Sequence, residues 1–580
     1  MENEFVIRER VLPEVGEFER VRTSLDSHPP LLQRVYAARG VRDVEDLKLA
    51  TAGLHSPASM RDLDTAAARL SAAVTEGQSV LFVGDFDADG ATASALGVSL
   101  LRALGAKEVD FLVPNRFDFG YGLTPEIVAV AAQSKPDLIV TVDNGISSLK
   151  GVEAANELGI AVIVTDHHLP GNELPEALAV VNPNQKGCSF PSKNLAGVGV
   201  IWYLLSAVRR VLADQGWFQD KAEPNPAQWL DLVSLGTVAD VVPLDHNNRI
   251  LVYQGLQRMR AGHLRPGLRA IAQVAGKKLA DLTAQDLGFA LGPRLNAAGR
   301  LEDMTIGIRC LLATEDEEAL RLATALNELN RARRSIEAQM SQEAELAILD
   351  LADEENSVAD KKGLAVYREH WHQGVVGIVA GRMRERFFRP VIAFAETGAT
   401  APDELKGSAR SIPGLHIRDV LADIDTRFPG LIVRFGGHAM AAGLSLKRRH
   451  LSRFAKAFDA AVDARVNGEV LQNTVLTDGE LEAGELALAN AELLANGGPW
   501  GQGFEEPLFH GSFELISQKV VGENHLKMVV GCGGQVFDAI KFRQVPMPGA
   551  EQVELVYHLS VNEWRDRRSL QLMVEHCRAV

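Results

Sequence analysis

The hydrophobic and polar positions of the chain change their period several times. From Ser79 onward, short continuous apolar runs alternate with helical stretches, and the runs lie at 80–83, 109–113, 137–143, 160–166 and 177–181. Apolar runs without alternation are typical of strands that are buried on both faces. Their regular alternation with helices predicts an α/β fold built on a doubly wound parallel sheet.

The pattern changes again toward the C-terminus. Residues 314–352 lack Gly and Pro, carry Thr314 and Glu317 at capping-box spacing, and predict one long bridging helix, roughly 50 Å in length. A second α/β domain follows, and after it the residues alternate with period two between glycine- and Asn-containing turns, which predicts a β-barrel of the OB-fold type. The predicted parts are 1–75 (helical extension), 76–313 (catalytic α/β domain), 314–352, 353–455 and 456–580.

Composition narrows the class of protein. The 580 residues are 46% hydrophobic and 23% charged, as expected for several globular domains. The start, MENEFVIRER, lacks the features of an export signal, and the four cysteines form no C-x-x-C pair. These features favour a cytoplasmic protein without a membrane anchor. The net charge of -16 argues against a uniformly basic nucleic-acid coat and leaves room for a local basic groove.

Acidic and imidazole side chains follow the apolar runs where each strand is predicted to end. Since the carboxyl ends of parallel strands share one edge of a sheet, these side chains should converge there. Like charges held so close require a cation among them. A lone Asp at a strand end is more often a helix cap, and a lone His is more often a structural group. Convergence of several such residues at one edge favours a metal site instead. The residues concerned are Asp85, Asp87, Asp89, Asp143, Asp166, His167, His168 and Asp240.

The ligand types indicate which metal is expected. The D-x-D-x-D-G spacing also begins an EF-hand, but its twelfth position is Leu96 instead of Glu and a strand precedes it, so we exclude calcium. Carboxylates with one or two imidazoles and no thiolate suit Mn²⁺ or Mg²⁺. The number of acids favours two ions, the arrangement that stabilises attacking and leaving oxygens in displacement at phosphorus.

Several motifs, in order, carry a resemblance to a known family. The motifs GDFDADG, VDNG, TDHH and GTVAD resemble the DHH phosphoesterase superfamily. The later motifs GPRLNAAGRL, HWHQGVVGIVAGR, KGSARS and FGGHAMAAG resemble its RecJ branch, from about Phe18 to the C-terminus. The resemblance implies DHH, DHHA1 and OB domains, and hydrolysis of single-stranded DNA from the 5′ end to mononucleotides. It also implies work in recombination and DNA repair beside a helicase and a single-strand-binding protein.

The resemblance assigns metal ligands residue by residue. Asp87 would bind the first ion and Asp89 the second, and Asp143 would bridge them. His167 and Asp240 would complete the second site. These residues form the catalytic set together with His168.

Three more positions receive roles in the same way. Asp85 would be a further carboxylate of the first site or a support for it. His168 would face the scissile phosphate, and Asp166 would orient His167. Superfamily members that hydrolyse pyrophosphate carry a histidine a few residues before the first acids, where this chain has Val83, so the exonuclease branch is favoured.

Candidate DNA contacts lie outside this cluster. Arg116 and Tyr121 follow the second strand among glycines, where the arginine can hold a terminal 5′-phosphate, although an ordinary surface loop has the same composition. Arg294, Asn296 and Arg300, spaced among small residues, predict a phosphate-contacting loop.

The second α/β domain and the barrel supply the remaining candidates. We expect FGGHAMAAG to open a helix whose free N–H groups attract phosphate. For His372 and His438 a structural role is the alternative to a DNA contact. Trp564 of the barrel fits a base-stacking residue and a core residue equally well. The candidates in the second domain are His372, Ser408, Arg410, Gly436, Gly437 and His438.

Two other functions remain open from the sequence. One is a small-substrate DHH phosphodiesterase that cleaves short oligonucleotides or cyclic dinucleotides, which the OB-like segment argues against. The other is a scaffold that binds DNA without cleaving it, which the complete set of acids and histidines argues against.

Overall fold

The computed structural model describes residues 5–115, 122–350, 361–397, 402–466, 471–522, 525–564 and 567–580, with the side chains of Asp350 and Trp564 excepted. The chain forms two compact units. The larger unit comprises 9–327 and 476–580, and the smaller comprises 1–8 and 328–475.

The strands are β1 (Phe5–Glu9), β2 (Val80–Gly84), β3 (Val109–Leu112), β4 (Leu138–Val142), β5 (Ala161–Thr165), β6 (Ala179–Val181), β7 (Leu364–Tyr367), β8 (Val391–Glu396), β9 (Glu404–Arg410), β10 (Arg434–Gly437), β11 (Ala441–Lys447), β12 (Asn473–Thr477), β13 (Phe509–Val521), β14 (His525–Cys532), β15 (Gln535–Lys541), β16 (Gln552–Trp564) and β17 (Arg567–Ala579).

The α-helices are α1 (Val15–Ser24), α2 (Pro30–Ala37), α3 (Leu63–Glu76), α4 (Ala88–Ala103), α5 (Pro125–Ala131), α6 (Leu149–Glu157), α7 (Gly197–Asp214), α8 (Leu230–Ala239), α9 (His246–Arg260), α10 (Pro266–Val274), α11 (Ala284–Asp286), α12 (Gly292–Leu301), α13 (Thr305–Leu312), α14 (Asp316–Asp350), α15 (Val376–Phe387), α16 (Ile417–Arg427), α17 (Leu451–Val466) and α18 (Leu488–Asn496). Within the described residues, none of these helices has both the length and the apolar character needed to cross a membrane.

The larger unit contains the predicted parallel sheet. Its strand order is β3-β2-β4-β5-β6, and every neighbouring pair runs parallel. The sequence order reverses between β2 and β4, because the chain adds β3 on one side of β2 and all later strands on the other. Ligands of doubly wound sheets bind beyond the carboxyl ends of the strands at such a reversal. The acids after β2 and β4 lie at that point.

The core of this unit explains why the apolar runs are continuous. Residues of β2, β4 and β5 are buried in a cluster with α5 and α6. Burial on both faces removes the alternation that an exposed sheet would show. The predicted α/β fold is therefore confirmed.

The long helix α14 is present as predicted, although it begins at Asp316, two residues after Thr314. Thr314 therefore lies one residue before the N-cap position, which Glu315 occupies, and it is not the capping residue that the sequence predicted. The three acids Asp316, Glu317 and Glu318 occupy that turn and interact favourably with the positive end of the helix dipole. The boundary between the two units falls inside α14, after Asn327.

The smaller unit has a mixed sheet of order β10-β11-β9-β8-β7. The prediction that FGGHAMAAG opens a helix is wrong, because Phe435 and Gly436 pair with Leu444 and Gly443 in an antiparallel hairpin. The His438 N–H donates to the Ala441 carbonyl at 2.8 Å and closes its turn. Helix α17 crosses the predicted division at 455/456, because residues along its whole length pack into the core of this sheet.

The C-terminal strands form a closed barrel of order β13-β14-β15-β17-β16, which confirms the predicted barrel. The pairing of β13 with β14 shifts between Leu515 and Ser517, a bulge that bends the strand as barrel closure requires.

Candidate active site

The segment after β2 turns directly into α4 and places the first three acids. Asp87 caps the helix, since its Oδ1 accepts a hydrogen bond from the Gly90 N–H at 3.0 Å. Asp85 and Asp89 are buried, with 5% and 1% of their surface exposed. Carboxylates are rarely so deeply buried without a partner charge, which marks this turn as a site.

Asp89 also joins α4 to α7. Its Oδ2 accepts the Gly197 N–H at 2.6 Å and its Oδ1 accepts the Val198 N–H at 2.9 Å. Both donors belong to the first turn of α7, whose N–H groups have no partner within the helix. Asp89 is thereby fixed in position, and its carboxylate retains lone pairs for a cation.

Asp143 follows β4 in a strained backbone conformation. Its φ is +61°, in the left-handed region that residues other than glycine seldom occupy. Gly197 lies directly against it: a Cβ at position 197 would stand 2.6 Å from the Asp143 Cβ. Strain of this kind persists where the surroundings determine the conformation, and it is frequent at active sites.

The remaining groups are His167, which follows β5, and Asp240, which follows α8. His167 Nε2 lies 3.1 Å from Asp143 Oδ1 and 3.4 Å from Asp240 Oδ2. His167 Nε2 and Asp240 Oδ2 are both buried and, within the part of the chain that the structure describes, neither makes a hydrogen bond. These two buried atoms lie 3.4 Å apart and remain available as metal ligands.

The ionised forms of the buried carboxylates are destabilised in this cluster. Burial, together with the neighbouring carboxylates, raises the pKa of Asp143 and of Asp240 well above the ordinary value. Burial and the charge of Asp87 likewise raise the pKa of Asp89 to about 7. Because these groups repel one another in a water-poor site, a cation would stabilise all of them.

The two histidines differ in charge. Burial lowers the pKa of His167 to about 4, so its imidazole is neutral and available as a ligand near neutral pH. Burial opposes protonation of His168 too, but the hydrogen bond and charge of Asp166 outweigh it and raise the pKa to about 8. His168 is therefore largely protonated at pH 7.

Asp166 contacts a different ring from the one expected. Its Oδ1 accepts from His168 Nδ1 at 2.7 Å, whereas His167 reaches it through the backbone N–H, also at 2.7 Å. Its Oδ2 accepts the Ile146 N–H at 2.9 Å. Burial alone would raise the pKa of Asp166, but these hydrogen bonds lower it overall. Asp166 thus orients the imidazole of His168.

Groups of side chains in this cluster lie close enough to bind metal ions. Each group offers ligand atoms that lie within 4.8 Å of one another, and neighbouring groups share Asp143 or His167. Carboxylate and imidazole donors without a thiolate fit Mn²⁺ and Mg²⁺. The groups are Asp85–Asp87–Asp143, Asp89–His167–Asp240 and Asp143–His167–His168.

The GPRLNAAGR segment, which we expected to be a loop, is the helix α12. Its small residues allow it to approach the acidic turn: a Cβ at Gly299 would lie 1.8 Å from the Phe86 carbonyl oxygen. Asn296 Oδ1 accepts the Ala88 N–H at 2.8 Å. Arg294 is buried and its Nε donates to Asn327 Oδ1 at 3.0 Å, while Arg300 is half-buried at the end of the helix. The segment therefore supports the acidic turn from behind.

In the smaller unit, two of the predicted DNA contacts lie together. Ser408 and Arg410 alternate along β9 on one face, and Arg410 Nη1 donates to Ser408 Oγ at 3.1 Å. A Cβ at Gly377, in the first turn of α15, would be 2.9 Å from both side chains. A guanidinium beside a hydroxyl group on one face of a strand forms a surface suited to phosphate.

The other predicted contacts of the smaller unit lie on turns and on the hairpin. His372 precedes α15, and its Nδ1 accepts the Gly374 N–H at 3.1 Å. Gly436 and Gly437 lie in β10, and His438 starts the turn of that hairpin. The predicted contacts Arg116 and Tyr121, and the side chain of Trp564, lie outside the described residues.

Sequence reasoning missed several groups at this edge. Asn182 and Asn184 follow β6, and their amides donate to the carbonyls of His168 and His167 at 2.9 and 2.6 Å. The same strand-end rule that selected the acids would have found them, since polar residues after β6 must lie at the same edge. Gly197 carries no side chain and left no comparable signal.

Comparison with known proteins gives three matches to family models. The DHH family, N-terminal domain, matches residues 79–237; the DHHA1 domain matches 360–464; and the RecJ OB domain matches 477–576.

Whole-length relatives are also found. The single-stranded-DNA-specific exonuclease RecJ of Dickeya dadantii is 52% identical over 95% of this chain and 96% of its own length, and that of Escherichia coli is 51% identical over 94% and 96%. The crystal structure of RecJ from Thermus thermophilus in complex with Mn²⁺ matches with a TM-score of 0.80 at 31% identity, covering 99% of this chain and 80% of that one. The Mg²⁺ complex matches with a TM-score of 0.74 at 29% identity, over 99% and 79%.

Proposed function

The chain belongs to the RecJ family of single-stranded-DNA-specific exonucleases, and we propose that it removes mononucleotides from the 5′ end of single-stranded DNA with two divalent ions, Mn²⁺ or Mg²⁺. The observation that carries this proposal is the set of overlapping ligand groups around Asp143. Two ions that share one carboxylate are the arrangement used for in-line displacement at phosphorus.

The proposal assigns the ligands as follows. Asp87, with Asp85, would hold the first ion, while His167, Asp240 and Asp89 would hold the second. Asp143, which belongs to one group with Asp85 and Asp87 and to another with His167, would be a ligand of both ions. Bound divalent ions supply a nucleophile at neutral pH and neutralise charge on the phosphate.

The chain's own groups bind and orient the substrate. His168, whose Nδ1 is held by Asp166, faces the scissile phosphate and strengthens its hold as negative charge develops there. His167 stays neutral and keeps its Nε2 lone pair for a ligand role. Catalytic work is therefore divided between two adjacent imidazoles.

DNA contacts away from the cluster are part of the same proposal. Ser408 and Arg410, beside the start of α15, bind backbone phosphate. We assign the remaining positions to the DNA path because of their motif positions, and Trp564 to base stacking. These positions are Arg116, Tyr121, Arg300, His372, Gly436, Gly437 and His438. The sequence also predicted DNA contacts at Arg294 and Asn296, but we assign both to support of the acidic turn, because Arg294 is buried and Asn296 holds the Ala88 N–H.

The wider setting rests on family membership. We place the enzyme in the cytoplasm, in recombination and DNA repair, beside a helicase and a single-strand-binding protein. We propose the division into parts ending at residues 75, 313 and 352 on the sequence pattern, and we move the last division from 455 to the end of α17, because that helix packs into the core of the smaller unit. The family matches at 79–237, 360–464 and 477–576 support the order of the parts.

The test is degradation of end-labelled single-stranded DNA with Mn²⁺ or Mg²⁺, using free, 5′-blocked and 3′-blocked oligomers. We expect mononucleotides from the free and the 3′-blocked oligomer alone. Asp143→Ala should abolish turnover, whereas Asp110→Asn, which changes an exposed carboxylate on β3, should leave it unchanged. Hydrolysis of a dinucleotide but not of the oligomer would replace the proposal by a small-substrate phosphodiesterase, and DNA binding without metal-dependent cleavage would replace it by a scaffold.

A further inference from the structure

A buried asparagine joins the two strand ends that carry the first acids and the bridging acid. Asn144 Nδ2 donates to the Val83 carbonyl at 3.0 Å and to the Val142 carbonyl at 2.9 Å. Val83 lies two residues before Asp85, and Val142 lies directly before Asp143. One fully buried amide therefore fixes the separation of two ligand-bearing segments.

Two more asparagines hold the histidine pair. Asn184 Nδ2 donates to the His167 carbonyl at 2.6 Å, and Asn182 Nδ2 donates to the His168 carbonyl at 2.9 Å. The two asparagines are linked to each other, since Asn182 Oδ1 accepts the Asn184 N–H at 2.7 Å. The turn after β6 thus fixes the backbone that follows β5.

The remaining ligand segments are held in the same way. Asn296 Oδ1 accepts the N–H of Ala88, the residue between the two acids of the α4 turn, at 2.8 Å. Asn248 Nδ2 donates to the Pro243 carbonyl at 2.9 Å and to the Asn194 carbonyl at 2.6 Å. It therefore connects the segment that follows α8 with the segment that precedes α7.

We propose that these five side chains, here called the asparagine frame (Asn144, Asn182, Asn184, Asn248 and Asn296), are positioning residues that set the affinity of the active site for its divalent ions. The inference rests on the proposed function, because it concerns the same metal centre. The proposed role needs no contact between the frame and metal or DNA, because all six hydrogen bonds described from the frame to the ligand segments end on backbone atoms.

Electrostatics explains why a frame is needed. Asp85, Asp89 and Asp143 are buried in neighbouring groups of closely spaced ligand atoms, so their carboxylates repel one another when no cation is bound. Segments free to move would separate, and an ion would then have to draw them together on binding. A frame that keeps them in place removes that reorganisation from the binding equilibrium.

The chemistry of asparagine suits this task. A primary amide provides two donors and an acceptor, so it can bridge two carbonyls. It carries no charge, whereas an aspartate would add to the repulsion and a lysine or arginine would compete with the ions. The frame therefore holds an acidic site without changing its charge.

The experiment measures Mn²⁺ binding to the full-length, metal-free protein by isothermal titration, beside the thermal midpoint of the metal-free protein. The variants are Asn144→Ala and Asn184→Ala. The matched control is Gln33→Ala, because Gln33 Nε2 also donates to two backbone carbonyls, those of Leu25 at 3.0 Å and His28 at 2.7 Å, in a buried position of the N-terminal segment.

We expect both asparagine variants to bind Mn²⁺ at least about ten-fold more weakly, as is typical when groups that orient metal ligands are removed. Their exonuclease activity should be low at limiting Mn²⁺ and should recover at high Mn²⁺. Gln33→Ala should lose thermal stability and keep the wild-type Mn²⁺ affinity.

Two results would overturn the inference. Wild-type Mn²⁺ affinity in both asparagine variants would show that the frame is structural alone. An equal loss of affinity in Gln33→Ala would assign the effect to general destabilisation. If Asn144→Ala fails to fold, Asn184→Ala decides, since Asn184 is only half-buried. Absence of Mn²⁺ binding by the wild-type protein would instead refute the proposed function.

Discussion

The substitution Gly197→Ala should disable the active site although it adds a single methyl group. The Cβ of an alanine at this position would lie 2.6 Å from the Asp143 Cβ, 2.8 Å from its Cα and 2.9 Å from its Oδ1. Carbon atoms in contact are normally about 3.5–4.0 Å apart, so Asp143 or the start of α7 must move by roughly 1 Å. Two of the three atoms belong to the backbone or the first side-chain carbon, which cannot rotate away.

The size of the effect follows from that displacement. Misplacing a reacting group by 1 Å can lower a rate about 10²-fold, and Asp143 is the proposed bridging ligand. The Gly197 N–H donor to Asp89 is retained in alanine, so the loss would report on Asp143. Crowding of this kind also destabilises the fold, by about 1–3 kcal/mol.

The assay is release of nucleotides from a labelled single-stranded oligomer at saturating Mn²⁺, beside the thermal midpoint. Gly199→Ala is the matched control, because it lies in the same helix and its Cβ would meet only the Leu195 side chain, at 3.1 Å. Equal turnover of Gly197→Ala and Gly199→Ala would refute the reasoning.

Buried charges support three further predictions. Asp143→Asn should abolish exonuclease activity yet raise the melting temperature of the metal-free protein at neutral pH. The reason is that the pKa of Asp143 is raised in the native state, so its ionised form opposes folding at that pH. An unchanged or lower melting temperature would contradict this. Asp478→Ala should lower the free energy of unfolding in urea by about 3–5 kcal/mol, because the Asp478 and Arg39 side chains are 1% exposed and paired at 2.7 Å, and a loss below about 1 kcal/mol would show that the pair contributes little. Burial lowers the pKa of His558, but the hydrogen bond and charge of Glu575 outweigh burial and raise the pKa overall. The protonated His558 therefore stabilises the native state fully below the unfolded pKa of about 6.5, and this stabilisation is lost as pH rises through the native pKa. His558→Gln should therefore destabilise the fold more at mildly acidic than at alkaline pH, and urea unfolding with the same difference at every pH would exclude this.

The parallel sheet and its acidic edge were predictable from sequence because two strong local signals coincide. The apolar runs at β2, β4 and β5 are continuous, as burial on both faces requires, and each is followed at once by a polar residue. The rule that carboxyl ends share an edge then brings residues far apart in sequence together without any knowledge of the packing. Asp143 and His167 meet in the structure as that rule requires.

Two glycine-rich segments were misjudged because their conformation depends on distant partners. FGGHAMAAG forms a hairpin because β11 pairs with β9, about thirty residues earlier. GPRLNAAGR has small residues because α12 packs closely on the acidic turn, where Gly299 lies against the Phe86 carbonyl. Small residues permit a loop and a close approach equally, and the sequence pattern alone does not separate them.

The choice of ring by Asp166 shows a finer limit. His167 and His168 are adjacent in sequence, and either ring lies within reach of a carboxylate one or two residues away. The structure assigns His168 Nδ1 to Asp166 and leaves His167 Nε2 facing Asp143 and Asp240. The side-chain rotamers decide between these arrangements, and the order of residues does not predict them.

At the acidic edge, stability and activity impose opposite demands. The left-handed backbone of Asp143 costs about 1–3 kcal/mol, and the crowded carboxylates add repulsion, so both features oppose folding of the metal-free chain. The asparagine frame opposes that tendency at the same place. Two changes that both impair metal binding should therefore shift stability in opposite directions: Asp143→Asn removes repulsion and should raise the metal-free melting temperature, whereas Asn144→Ala removes restraint and should lower it. A shift in the same direction for both would mean that repulsion among the acids is already screened without an ion, and the need for a frame would disappear.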